Sequence, residues 1–112
     1  MATLTGTLTP FMGSVSVTAT STGQDIFTLL SAIRTKLPHK ACFLQVQSDT
    51  TNGSAFLYVG NSDVSATMCG TNLSANQAQQ IFAFDSNLGI LDQIFLVSST
   101  GTIQVNLTVM VR

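Results

Sequence analysis

Between Thr102 and Val109 apolar and polar residues alternate without a break, and Met110-Val111 continues the run. Ile103, Val105, Leu107, Val109 and Val111 fall on one face, and Gln104, Asn106 and Thr108 on the other. Side chains of a strand point alternately to its two faces, so a period of two predicts a strand with one face to bury. At a rise of about 3.3 Å per residue this strand is about 33 Å long. Neither face carries a charge. Such a strand needs neighbours along its length and a second layer over its apolar side, and that requirement points to a layered β structure.

The rest of the chain supplies those partners. Residues 3–9 and 14–20 alternate small apolar and hydroxyl residues and predict two strands, punctuated by Pro10 and Gly13. Phe11 and Met12 lie in that connection, as core or as an exposed anchor for a neighbouring subunit. Residues 21–37 carry Ile26, Leu29, Leu30 and Ile33 at spacings of three and four, which predicts a short helix with an extended loop as the competing reading. Ser21, Thr22 or Asp25 can cap its start, Arg34 and Lys36 suit its C-terminal end, and Pro38 stops it. Residues 41–48 predict a strand with Cys42, Leu44 and Val46 inward. In 55–59, Ala55, Leu57 and Val59 share one face and Phe56 and Tyr58 the other. Asn52-Gly53 between these two is the strongest hairpin signal in the chain, so they are expected to pair as a hairpin.

After Gly60-Asn61 the expected order is turn, short β-branched strand, then a second turn at Gly70. Residues 74–80 form a polar segment leading to Ile81–Phe84. Residues 85–89 read as a turn, 92–98 as a strand, and 99–101 as the turn into the terminal strand. The expected fold is all-β: one antiparallel, jelly-roll-like β-sandwich of about seven or eight strands with one short helix, spanning 1–112. Residues 1–20 are a candidate inter-subunit arm.

Charge limits what the surface can do. Only 8% of the residues are charged, glutamate is absent, and the net charge is −1, whereas about a quarter charged is usual. The surface must be built from Thr, Ser, Asn and Gln, which favours association with copies or partners. Edge strands would have few charges to guard them. The net charge supplies no field for nucleic acid. No apolar run of about 18 residues predicts a membrane-spanning helix, and the N-terminal residues do not read as a secretion signal. Synthesis in a cytosol is expected.

Chemistry is sparse. His39 is the single histidine and sits among Arg34, Lys36 and Lys40, a poor neighbourhood for a base that must accept a proton. Asp25, Asp49, Asp63, Asp85 and Asp92 are scattered, without the spacing that chelates calcium, and read as turn formers. Cys42 and Cys69 are too few for a zinc site; a buried thiol for Cys42 is favoured over a disulfide. Gly60-Asn61 and Gly70 lack the lysine and following helix of a phosphate loop. No catalytic residue, cofactor or metal is expected. Arg34, Lys36 and Lys40 read as a solvated helix end or as contacts to an acidic partner. Tyr58 reads as sheet packing or, with Asp63, as a small binding site.

From residue 55 onward the pieces Leu57-Tyr-Val-Gly-Asn-Ser-Asp-Val64, Gly70-Thr-Asn-Leu73, the polar stretch to Gln80, the strand 92–98, Thr100-Gly101 and Ile103–Val111 occur in one order. In that order the chain resembles small bacteriophage virion proteins; the strand 41–48 extends the likeness, and residues 1–40 lie outside it. Met68-Cys69 before Gly70 and the helix-like segment 24–36 depart from the pattern. The resemblance implies a non-enzymatic structural protein, foremost a capsid decoration or cement protein, with a tail or fibre host-binding module as the alternative. It implies location on the capsid surface, contact with the major capsid protein or another virion protein, and a homo-oligomer, for instance a trimer. The candidate inter-subunit contacts are Leu4, Leu8, Phe11, Met12, Val15 and Val17; the candidate polar contacts are Arg34, Lys36 and Lys40.

Overall fold

A computed structural model describes residues 9–19, 22–33, 43–82 and 91–111. Its elements in chain order are β1 (Thr9–Thr18), β2 (Gln24–Asp25), α1 (Ile26–Ser31), β3 (Phe43–Ser48), β4 (Leu57–Gly60), β5 (Thr71–Leu73), β6 (Ala78–Phe82), β7 (Phe95–Ser98) and β8 (Thr102–Val111). A single 3-10 turn, Thr50–Asn52, stands between β3 and β4.

The eight strands form two four-stranded antiparallel sheets, β1-β8-β3-β6 and β2-β7-β4-β5. The pairings β1–β8, β2–β7, β3–β6 and β4–β5 are nested. The chain is in effect one long antiparallel hairpin rolled into two layers, the jelly-roll arrangement expected from its sequence. Its tip is β4–β5, in the stretch from Ala55 to Leu73. Between the described strands every successive connection except β4–β5 changes sheet.

The terminal strand lies inside its sheet, paired with β1 on one side and β3 on the other. Its Ile103, Val105, Leu107 and Val109 are buried as the alternation requires. They meet Val15 and Val17 of β1, Leu44 and Val46 of β3, and, from the second layer, Leu57, Val59, Leu73 and Leu96 in one core. Full burial of a side chain of this kind stabilises by about 1.5–3 kcal/mol. The helix α1 adds Ile26 and Leu30, both 0% exposed, at one end of the sandwich.

Several expectations need correction. β3 and β4 do not form a hairpin; they belong to different sheets. Asn52-Gly53 turns a corner between layers, with Gly53 at φ 63° and ψ −126°, backbone that glycine adopts most readily. The corner is built by side chains. Asp49 caps the 3-10 turn by accepting from the Thr51 amide (3.1 Å) and hydroxyl (2.6 Å). Asn52 accepts from the Gln104 amide (2.9 Å) and donates to the Gln104 carbonyl (2.7 Å). It thereby continues the β3–β8 ladder beyond the last backbone pair, and it also donates to the buried Ser48 hydroxyl (2.9 Å).

Pro10 and Gly13 do not interrupt β1. β1 is an edge strand, where proline is tolerated if its missing donor faces outward, and the absent side chain of Gly13 leaves space taken by Ile33. The helix is shorter than the apolar stripe suggested. Asp25 caps it, accepting from the Thr28 amide (3.0 Å), and Ile33 falls beyond its end, 51% exposed. No strand forms between Asn61 and Gly70; the short strand, β5, follows Gly70. β6 begins inside the segment expected to be a polar lead-in. Residues 3–8 of the expected strand 3–9, the turn at 85–89, and Cys42 and Pro38 lie outside the described residues, while Thr9 opens β1.

Candidate interaction surfaces

The outward face of the sheet β1-β8-β3-β6 is assembled in cross-strand rows. Met110, Phe43 and Phe82 occupy one row; Met12, Thr108, Gln45 and Gln80 the next; Ser14, Asn106, Gln47 and Ala78 the third; Ser16 and Gln104 the fourth. The first row is apolar. Phe43 and Phe82 meet edge to face, with centroids 5.2 Å apart and planes at 62°, and Phe82 is 61% exposed. Apart from Met12 and Ala78 the remaining rows carry amides and hydroxyls, several of them bonded to one another. Gln80 donates to Gln45 (3.1 Å), Gln104 to Ser16 (2.9 Å), and Gln47 to Asn76 (3.3 Å). Asn106 donates to Asp49 (2.9 Å) at the margin of the face.

Asp49 is the carboxylate of this margin. Hydrogen bonds from the Thr51 hydroxyl, Asn106 and the Thr51 amide hold its pKa below the ordinary 3.8. The rows themselves contain no ionisable side chain. This outward face carries no charge in its rows, and Phe82 and Met12 are exposed on it.

The two edges of the same sheet differ. In an antiparallel ladder alternate residues turn both backbone groups to the same side. The Asp49 amide donates to the Gln104 carbonyl and the Ala19 amide to the Gly101 carbonyl. These bonds fix the phase: even-numbered β8 residues bond β3, and odd-numbered β8 residues bond odd-numbered β1 residues. The backbone groups of Pro10, Met12, Ser14, Ser16 and Thr18 therefore face away from β8. This edge is guarded at both ends, because Pro10 has no donor and the Thr18 amide is taken by the Gln24 side chain (3.2 Å). By the same phase, with Ser48 donating to the Gln77 carbonyl, the backbone groups of Ala78, Gln80 and Phe82 point outward from β6. No proline, charge or side-chain cap guards β6 among the described residues.

On the other layer Tyr58 is half-buried in an open groove of about 350 Å³ with Val64, Ser65, Ala66, Val97 and Ser99. Asp63 is exposed and does not line this groove; its amide is taken by the Asn61 side chain (3.0 Å), as in a turn. Tyr58 and Asp63 therefore do not share the site expected of them. Among the described residues no group of three His, Cys, Asp or Glu is placed to hold a metal ion. None of their helices is long and apolar enough to cross a membrane.

The residues expected to meet other subunits separate. Val15 (6% exposed) and Val17 (0%) belong to the domain's own core, and Phe11 packs against it, so these three do not serve as outward anchors. The alternation of β1 turns its valines inward. Met12, 52% exposed, is on the outward face. Leu4, Leu8, Arg34, Lys36, His39 and Lys40 lie outside the described residues. The amide rows were the part that sequence reading did not assemble. Gln104, Asn106 and Thr108 were visible as one polar face, but Gln45, Gln47 and Gln80 join them only through the register. Comparison with known proteins returns no matching family model, no similar curated protein and no similar solved structure.

Proposed function

We propose that this chain is a non-enzymatic structural protein of a bacteriophage virion that decorates the capsid and bridges its subunits from outside. The observation that carries this reading is the charge-free outward face of the sheet β1-β8-β3-β6, with Met12 and Phe82 exposed on it. A surface of that kind suits broad contact with another protein layer. Its amides satisfy one another when free, and its apolar row gains about 25 cal/mol for each Å² covered. The order of motifs from residue 55 onward supports the reading. By analogy of fold alone, jelly rolls serve in viral capsids and in lectins. The function is mechanical: many copies, each burying modest area, hold neighbouring capsid subunits together.

The alternative, a host-binding module of a tail or fibre, is favoured by one feature, the Tyr58 groove with its serine hydroxyls. Glycan binding that disappears with Tyr58→Ala would support it.

The deciding experiment mixes purified protein with capsids of its phage that lack it and measures co-sedimentation and capsid melting. Saturation at a fixed ratio with a higher melting temperature is expected. Thr108→Lys, which places an ammonium group in the middle of this outward face, should weaken binding at least about tenfold while the domain stays folded, since a desolvated unpaired charge costs several kcal/mol. Wild-type protein that stays in the supernatant refutes the proposal.

A further inference from the structure

We infer that β6 is a self-pairing edge: two copies of this chain join antiparallel along Ala78–Phe82 about a two-fold axis through Gln80. The inference deepens the expected self-association but stands on the geometry of β6, whatever the chain decorates.

The phase of the ladder turns the amides and carbonyls of Ala78, Gln80 and Phe82 away from β3, and these three positions are symmetric about Gln80. Placing Gln80 opposite its own copy makes a hydrogen-bonded pair, flanked by Ala78 opposite the second copy's Phe82 and the reverse. All six outward donors then meet acceptors. On the outward face the exposed Phe82 ring lies beside the small Ala78 of the second copy, a large-to-small fit repeated by the symmetry. Gln80 spends one donor on Gln45 (3.1 Å), which leaves its carbonyl oxygen to accept from the second Gln80 amide. The amide row across the sheet would thus run on into the second molecule.

The occupant is a second copy on grounds of charge and guarding. β6 carries no ionisable group, so like copies meet without repulsion. β1, the opposite edge, has its end donors removed by Pro10 and by Gln24, whereas β6 is, among the described residues, the open edge of the kind that pairs with strands. The product is an eight-stranded sheet with two-fold symmetry, hence a dimer contact and not the trimer contact expected from the resemblance. A five-residue strand pair is small, so the dimer is reversible and must be sought at high concentration.

The test is sedimentation velocity at roughly 0.2 mM chain, with Gln80→Pro as the variant. Proline at 80 removes an outward donor and leaves the β3 ladder intact. It should raise the dimer dissociation constant about 30-fold, because two symmetry-related hydrogen bonds are lost. A second measurement holds if that variant fails to fold. With Cys42 and Cys69 replaced by serine, Gln80→Cys should cross-link to itself on mild oxidation, since Cα atoms of a hydrogen-bonded pair stand about 5.5 Å apart, within disulfide reach. Gln45→Cys, one strand inward, should not. A wild-type monomer or trimer at that concentration, a dimer that a folded Gln80→Pro leaves intact, or equal cross-linking at 45 and 80 overturns the inference. A dimer that ignores capsids leaves it standing and removes the capsid proposal instead.

Discussion

Replacing Asn52 by alanine tests whether a side chain, and not a backbone pair, holds the corner between the two layers. Asn52 makes three hydrogen bonds, of 2.7, 2.9 and 2.9 Å, to Gln104 and Ser48. The two to Gln104 are near solvent, so water recovers much of their value, and each contributes about 0.5–1 kcal/mol net. The third is costlier to lose, because Ser48 is 0% exposed and a buried hydroxyl left without its partner costs about 1–3 kcal/mol. The sum is about 2–5 kcal/mol, or a drop in melting temperature of about 8–20 °C for a domain of this size. Urea denaturation followed by circular dichroism reads the change as a shifted midpoint at constant slope. The double variant Ser48→Ala/Asn52→Ala should be less destabilised than the sum of the singles, with a coupling of about 1 kcal/mol. A loss below about 0.5 kcal/mol, or strict additivity, would refute the reasoning and leave the corner to Gly53 and the backbone.

Acid sensitivity should trace to Asp49. Its folded pKa is depressed, so the stability it contributes is present above the ordinary 3.8 and is lost as pH falls through the lower folded value; Asp49→Asn should flatten the stability profile in that window, checked by thermal melts from pH 5 to about pH 2. Two glycines should respond differently to alanine. At Gly23 a Cβ would stand 2.5 Å from Val64 Cγ1 and 3.1 Å from Phe95 Cβ, with Val64 itself buried, so the change should cost about 1–3 kcal/mol. At Gly13 the obstacle is the far end of the half-exposed Ile33 side chain, which can swing aside, and the cost should stay below about 1 kcal/mol. Removing residues 1–8, which precede β1, should leave the melting temperature within about 3 °C while weakening capsid binding if that segment is an arm; unchanged capsid affinity would end its candidacy.

The legible parts of the sequence were those where one residue pattern had one structural reading. The alternation after Thr102 marked β8 to the residue, and the inward phase of Leu44, Val46, Leu57 and Val59 followed in the same way. Asn52-Gly53 misled because the dipeptide reports a sharp reversal and not which layer the chain enters next; Asn52's partners, Ser48 and Gln104, decide that, and Gln104 is distant in sequence. β6 was obscured because an edge strand at the sandwich margin needs little apolar content: Gln79 and Ile81 face inward while Ala78, Gln80 and Phe82 are exposed. Val15 and Val17 looked available because alternation marks two faces without saying which is covered. The outward face could not be assembled from sequence, since its rows join residues from four strands through registers set by the nested pairing.

The nesting also sets a timetable. Thr9 pairs with Val111 and Thr18 with Thr102, so the first described strand waits for the last before either has its ladder. β8 is also the neighbour of β3, which leaves the sheet without one of its two interior strands until synthesis reaches residue 102 and beyond. A nascent chain can close β4 on β5 early, but the larger gains lie in contacts between distant segments, and topologies dominated by such contacts fold in milliseconds to seconds and not in microseconds. During that interval uncharged, alternating strands are exposed at once. This domain should therefore fold only once β8 has been made, in a single cooperative step, and a version stopped short of β8 should aggregate instead of forming half a domain.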